Sequence, residues 1–305
     1  MTQVQKQKSI FLDSSNIDEF IDQAIINGVV GIDTEFERIH SYFPKLSLIQ
    51  FCFGDKTTYI YDFLERKVDA NKIIEILTNP SIIKVAHAIR QDVEAIHYAI
   101  GAVTKPLVDT QIIAKELGLG RQLSYAYLVK KFFGILVDKD CTRSNWMQRP
   151  LDDEKILYAA IDVYYLVDLY SQMKTIITQE SFHKAVESGN KMAIKSITYK
   201  TSQEAWNSFK KSIISKGCNI DNIQNVTKAL FLFRKNIARK RNILPNLIIK
   251  DKAMLEMAKM PDITPELINK ITKLPPYINP DGVASLIKKT REDTIKGKQD
   301  EKDRI

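Results

Sequence analysis

Residues 29–36 read Val-Val-Gly-Ile-Asp-Thr-Glu-Phe, a β-branched run that turns acidic at its end. Residues of this kind fit a pleated, half-buried strand. Side chains alternate along a strand with period two, so Asp33 and Glu35 project to one face of the sheet edge. Two like charges held this close are costly to bury unless a cation lies between them. An oxygen-only donor set, without His or Cys, favours magnesium or manganese.

Outward from this strand, LSLIQFCFG (46–54) and TTYIYDF (57–63) flank Gly54-Asp55-Lys56, a hairpin signal with β-formers on both arms. IIKVAH (82–87) reads as another buried strand, followed by a helix from Arg90 to Ile100. DTQIIAKELG (109–118) has an Asp or Thr to cap its start and a terminal Gly, the punctuation of a short helix. After Pro150, the stretch 151–174 predicts one long helix with acidic residues at its positive end. Strands mixed with helices argue for an α/β domain with a mixed sheet flanked by helices. Beyond residue 200 the strand signals stop. Residues 203–216, 222–241, 251–260, 264–273 and 280–290 read as helices punctuated by Pro245, Pro261, Pro275-Pro276 and Pro280. Residues 181–200 read as a bridge, and the charged 291–305 stretch as a frayed, disordered tail.

The chain has 305 residues and a net charge of +8, unevenly spread. Residues 1–180 carry 20 basic and 24 acidic side chains; residues 181–305 carry 25 and 13. An acidic front suits a site that holds cations, and a basic back suits a polyanionic partner. Several classes are excluded. Residues 1–10 have no apolar core for a secretory signal, and no apolar run approaches the roughly 20 residues of a membrane span. Cys52, Cys141 and Cys218 lie far apart, with no zinc or disulfide spacing. A reducing cytoplasm is the compartment this suggests. No phosphate-cradling glycine loop, serine-hydrolase elbow or HExxH pair occurs, which argues against a nucleotide or other small-molecule cofactor and against a histidine-rich zinc site. No exposed heptad pattern suggests a coiled-coil dimer, and a monomer is expected.

Two further acidic elements extend the pair. Asp92 follows the KVAH strand by five residues, early in the next helix, and could reach back over the sheet edge. Tyr158 and Asp162 stand i, i+4 on one helical face. Tyr164 and Asp168 share that spacing, but Asp162 and Asp168 differ by about 240° of rotation and cannot both face one site. Small Ala159 and Ala160 beside Tyr158 permit close approach, whereas Tyr164 lies in a bulky packing run, which favours the first pair.

Four blocks then stand in order: VVGIDTEFERIHSYFPKLSLIQF, KVAHAIRQDVEAI, PLVDTQIIAKELGLG and WMQRPLDDEKILYAAIDVYYL. They resemble the signature blocks of the ribonuclease D family, DEDD exonucleases with a ribonuclease H-like fold and a tyrosine in the third block. The resemblance covers most of residues 10–175. It implies that Asp33, Glu35, Asp92 and Asp162 are the four metal-binding carboxylates and that Tyr158 lies near the attacking water. LFLFRKNIARKRNILPNLIIKDKAMLEMAKMPDITPELINKI is similar, more loosely, to an HRDC domain, a helical nucleic-acid-binding module. The remaining length leaves room for one such module.

The resulting expectation is an exonuclease domain over 1–178, a helical linker over 179–202, an HRDC domain over 203–290 and a tail over 291–305. The activity expected is 3′–5′ hydrolysis of RNA to nucleoside 5′-monophosphates, on structured RNA such as tRNA precursors, with two divalent ions, Mg²⁺ or Mn²⁺. A DNA-directed exonuclease and a silent RNA-binding scaffold are the alternatives. Asp33 is assigned as the bridging ligand, Glu35 and Asp162 to the ion that binds the water, and Asp92 to the second ion. Tyr158 would orient the water, since a phenol with a pKa near 10 is a poor base. Arg234, Lys235, Arg239, Lys240 and Arg241, on adjoining helical turns, are candidates to track phosphates. Lys139, Arg143, Trp146 and Arg149, before the long helix, either approach the substrate or, for Trp146, serve structure.

Overall fold

A computed structural model describes residues 8–137, 145–198 and 201–302, with side chains described up to residue 296. The chain divides into two units, Met1–Arg38 with Pro44–Tyr199, and Ile39–Phe43 with Lys200–Ile305. Among the described residues no helix is long and apolar enough to cross a membrane.

The first unit is built on a six-stranded mixed sheet. Its strands are β1 (Lys8–Phe11), β2 (Val29–Glu37), β3 (Lys45–Cys52), β4 (Thr57–Asp62), β5 (Ile83–Ala86) and β6 (Leu107–Asp109), in the order β1-β4-β3-β2-β5-β6. The expected hairpin is β3–β4, antiparallel, and β2 pairs antiparallel with β3 and parallel with β5. The helices are α1 (Ile17–Asn27), α2 (Ala70–Thr78), α3 (Arg90–Ile100), α4 (Thr110–Glu116), α5 (Tyr125–Phe133), α6 (Asp153–Tyr164), α7 (Leu166–Ile176) and α8 (Gln179–Ile197). One face of β2 sends Val30 and Ile32 into a core with Phe20, Ile49, Phe51, Ile73 and Val93. The other face carries Gly31, Asp33 and Glu35. Beside them, Cys52, Val163 and Leu166 belong to a second core, and Leu48, Ile60 and Ala159 to a third. Gly31 suits this close approach: a Cβ would stand 3.0 Å from Leu166 Cβ and 3.3 Å from the Val163 carbonyl, so a larger residue would press α6 and α7 away from β2 by a few tenths of an ångström.

Two sequence expectations are corrected in this unit. The long helix over 151–174 is broken at Tyr165, between α6 and α7. The buried Tyr125 hydroxyl donates to the Ile161 carbonyl and accepts from the Tyr165 N–H, each at 3.0 Å. It thus occupies the place of one i→i−4 ladder bond, a recognised cause of a helix break. The bridge expected over 181–200 is instead α8, an integral element of the unit. A Cβ at Gly189 would meet the Leu107 carbonyl at 2.6 Å, Asn190 Oδ1 accepts from the Leu107 N–H, and Ala193 is fully buried.

The second unit is helical: α9 (Ser202–Ser215), α10 (Gln224–Arg241), α11 (Asp251–Lys259), α12 (Pro265–Ile271) and α13 (Pro280–Lys302). Leu230, Ala238, Met254, Met257, Ile268, Val283 and Ile287 form its core. The disordered tail expected from residue 291 is corrected as well, because α13 runs on to Lys302. The Arg291 guanidinium donates to the Ala258, Met260 and Pro261 carbonyls, which the end of α11 leaves without helical partners. Thr294 accepts from the Asn225 amide.

Candidate active site

β5 pairs only with Val29–Gly31 of β2, so beyond Gly31 this edge of β2 has no strand partner among the described residues. Asp33 and Glu35 lie on that open stretch, just before a β-bulge between Glu35 and Phe36. Bulges commonly re-aim side chains beside active sites. Against this edge come α6, carrying Tyr158 and Asp162, and the first turn of α3, carrying Asp92.

Carboxylate oxygens of Asp33, Glu35 and Asp162 all lie within 4.8 Å of one another, each on a half-buried side chain. At an effective dielectric near 20, two unit charges at that distance repel by roughly 3.5 kcal/mol. Three such carboxylates together could hold a cation, which would relieve that repulsion. Tyr158 donates a hydrogen bond to Asp162. Burial, followed by the charges of Asp162, Glu35 and Asp33 and by that bond, raises the Tyr158 phenol well above its ordinary pKa. It therefore stays protonated. Asp168 does not join the cluster; its carboxylate lies beside the β3–β4 turn, where an added Cβ on Gly54 would meet it at 3.4 Å.

Asp92 stands apart from the trio. Its Oδ1 accepts from the Thr34 hydroxyl at 2.6 Å, on the face of β2 opposite Asp33 and Glu35. Burial pushes the Asp92 carboxyl up to about 6; the Thr34 bond opposes this, and the charges of Asp109 and Asp162 add to it. The turn that delivers Asp92 is strained, since Ala88 has φ +55, a left-handed conformation costing about 1–2 kcal/mol for a non-glycine residue. Asp109 holds it by accepting from the N–H groups of Ala88, Ile89 and Gln111. Thr34 was not singled out from sequence, and Asp109 only as a candidate cap for the helix that follows it. The available signal for Thr34 was its place between the two acids, which the strand period sends to the other face.

Behind Tyr158 stands Trp146, 5.9 Å away between ring centroids and packed with Leu48, Ile60 and Ala159. Arg149 clamps this segment. Its Nε and Nη2 donate to the two oxygens of Asp62 at 2.7 Å each, and its Nη1 donates to the Trp146 carbonyl. Trp146 and Arg149 thus serve structure here; Lys139, Cys141 and Arg143 lie outside the described residues.

The basic candidates on α10 divide. Arg234 is a correction: it is 3% exposed, donates to the Ile249 carbonyl and to Asp251 at 2.7 Å, and stacks over Phe209 and Phe231. It holds the helical core together and is turned away from any phosphate. Lys235 is half-buried, while Arg239, Lys240 and Arg241 are exposed in the last turn, with Arg241 over the Tyr277 ring.

Comparison with known proteins agrees with this geometry. A family model described as "3′-5′ exonuclease" matches residues 9–178, and one described as "HRDC domain" matches residues 224–277. Ribonuclease D of Bartonella henselae is 34% identical over 230 residues, covering 75% of this chain and 55% of that protein. Ribonuclease D of Sphingobium indicum is 30% identical over 267 residues, covering 87% and 67%. The chain thus spans between about half and two thirds of these relatives' length. The crystal structure of Escherichia coli RNase D superposes with a TM-score of 0.76 at 23% identity, covering 93% of this chain and 75% of that one, which supports the fold. The chain belongs to the 3′–5′ exonuclease family, in its ribonuclease D branch, and carries an HRDC domain behind the nuclease unit.

Proposed function

We propose that this protein is a 3′–5′ exoribonuclease that releases nucleoside 5′-monophosphates by two-metal-ion hydrolysis and trims the 3′ ends of structured RNA, tRNA precursors among them. The observation that carries this reading is the gathering of Asp33, Glu35 and Asp162 within 4.8 Å, with Tyr158 bonded to Asp162. The similar E. coli protein is described as an exoribonuclease involved in structured RNA processing, and the exposed basic turn of α10 suits a polyanion.

The donor set fits Mg²⁺ or Mn²⁺, because every ligand is a carboxylate oxygen and no soft donor intrudes. Asp33, Glu35 and Asp162 would hold the cation, with Asp92 contributing from its place beside Thr34. Divalent ions bound there supply an activated water and relief of charge at the phosphate. The chain's own part is orientation. Asp162 fixes the Tyr158 hydroxyl, and the protonated phenol positions the attacking water without acting as its base. Thr34 engages one oxygen of Asp92 and so sets the direction in which that carboxylate points.

The test is to incubate the full chain with 3′-tailed RNA and matched DNA, in Mg²⁺, Mn²⁺ or EDTA. Nucleoside 5′-monophosphates from RNA in either metal, and none in EDTA, are expected. Preferential digestion of DNA would make it a deoxyribonuclease, and no products in any condition would leave a scaffold.

A further inference from the structure

On β3, Gln50 lies directly across from Asp33 in the antiparallel register. Side chains of such a pair share a face, with Cβ atoms about 4.5–5.5 Å apart. Gln50 is wholly buried, yet among the described residues neither its Nε2 nor its Oε1 has a hydrogen-bond partner. Its other cross-strand neighbour is the apolar Ile60, which packs with Ala159 and Tyr158. A buried amide left unsatisfied costs about 1–3 kcal/mol, and native chains rarely keep one without a use. Asp33 is the polar group that its cross-strand register brings nearest.

We infer that Gln50 is a positioning residue for the metal centre: in the cation-loaded protein its Nε2–H donates to the Asp33 carboxylate and turns the remaining lone pairs toward the ion. The inference rests on the nuclease reading above. It assigns to Gln50 the role that outer partners play for metal-binding carboxylates, where loss weakens metal affinity by about 10- to 100-fold. Burial makes the arrangement selective. The amide is sealed from water beneath α6, so it has little else to bond, and the strand register fixes its distance from Asp33. Another occupant is a buried water shared with Thr58 Oγ1, which is likewise buried without a partner on the adjacent strand. That water would leave cation affinity untouched.

The experiment titrates Mn²⁺ calorimetrically into the full-length wild type, Gln50→Met and Gln50→Asn, and records melting in EDTA. Methionine keeps the volume and removes the unsatisfied amide; asparagine keeps the amide but falls one carbon short. Mn²⁺ dissociation constants about 10- to 100-fold above wild type are expected for both. Gln50→Met should also melt in EDTA at or above the wild-type temperature, which separates lost positioning from lost folding. Either variant binding Mn²⁺ as tightly as wild type while folded overturns the inference and leaves the nuclease reading standing. A wild type that binds no Mn²⁺ overturns both.

Discussion

Replacing Asp162 by Asn tests the electrostatics and the chemistry of the site together. In the absence of cations the three carboxylates, within 4.8 Å of one another, repel. Removing one charge relieves two pairs, each roughly 3.5 kcal/mol at an effective dielectric of 20. All three side chains are half-buried, so solvent and salt screen much of this, and a net gain on the order of 1–3 kcal/mol is the realistic figure. For a unit of this size each kcal/mol moves the melting temperature by about 2–4 °C, so Asp162→Asn should melt roughly 2–12 °C above wild type in EDTA. The amide oxygen still accepts from Tyr158, which keeps the local geometry. Added Mg²⁺ or Mn²⁺ should raise the wild-type melting temperature and leave the variant nearly unmoved, because ligand-linked stabilisation scales with affinity. Metal-dependent digestion should be abolished while RNA binding in EDTA persists. Scanning fluorimetry with and without metal, beside a mononucleotide-release assay, reads all of this. Wild-type-like turnover would sink the assignment of Asp162. A variant that melts below wild type in EDTA would refute the claim that the carboxylates are held together against their own repulsion.

Three further outcomes follow from the same structure. Arg239, Lys240 and Arg241 changed together to Ala should weaken RNA binding and flatten its salt dependence by a slope of roughly 3, with hydrolysis of very short substrates unchanged; an unaltered salt slope removes that turn from the RNA-binding surface. Arg149→Ala leaves Asp62, 7% exposed, without its bidentate partner. Such a loss costs about 3–5 kcal/mol, so a melting temperature at least about 6 °C lower is expected, and Asp62→Leu combined with Arg149→Met should recover most of it. Lys84 is fully buried on β5, and burial pushes its ammonium down to about 7 from 10.5. Between those values the unfolded chain binds the extra proton, so stability rises with pH across that window, and the full penalty remains below pH 7. Lys84→Met should therefore be more stable than wild type at and below neutrality, with the advantage fading toward pH 10. A difference independent of pH would show that burial does not lower the Lys84 ammonium pKa.

Much of the fold was legible because its signals are local. The alternation in 29–36, the Gly54-Asp55-Lys56 turn and the Asp109 cap each depend on neighbours in sequence, and each appears where it was read. β1 and β6, of four and three residues, carry too little pattern to be seen alone; both are defined by pairing with β4 and β5. The break at Tyr165 could not be read from 151–174, because what splits the helix is Tyr125, some 40 residues earlier. The helical continuation past residue 290 has the same character: Arg291 looks like a tail charge until α11 presents three carbonyls to it.

The site divides along the same line. Strand period put Asp33 and Glu35 on one face, and helix spacing put Tyr158 and Asp162 on another; that the two faces meet was implied by the family resemblance. What periodicity cannot supply is the burial of polar groups. Arg234 was read as a phosphate contact because a basic run on a helix looks solvated, yet Phe209, Phe231 and Asp251 enclose it. Gln50 drew no notice for the opposite reason: a single neutral amide in an apolar strand carries no charge to count. Both cases turn on one physical point. Polarity in a sequence reports what a side chain would cost to bury, while the fold decides whether that cost is met by a partner. For Arg234 the partners are present. For Gln50 the register supplies Asp33 alone among polar neighbours across the strand, and a bond to it has reason to form once a cation has relieved the crowding of negative charge around that carboxylate.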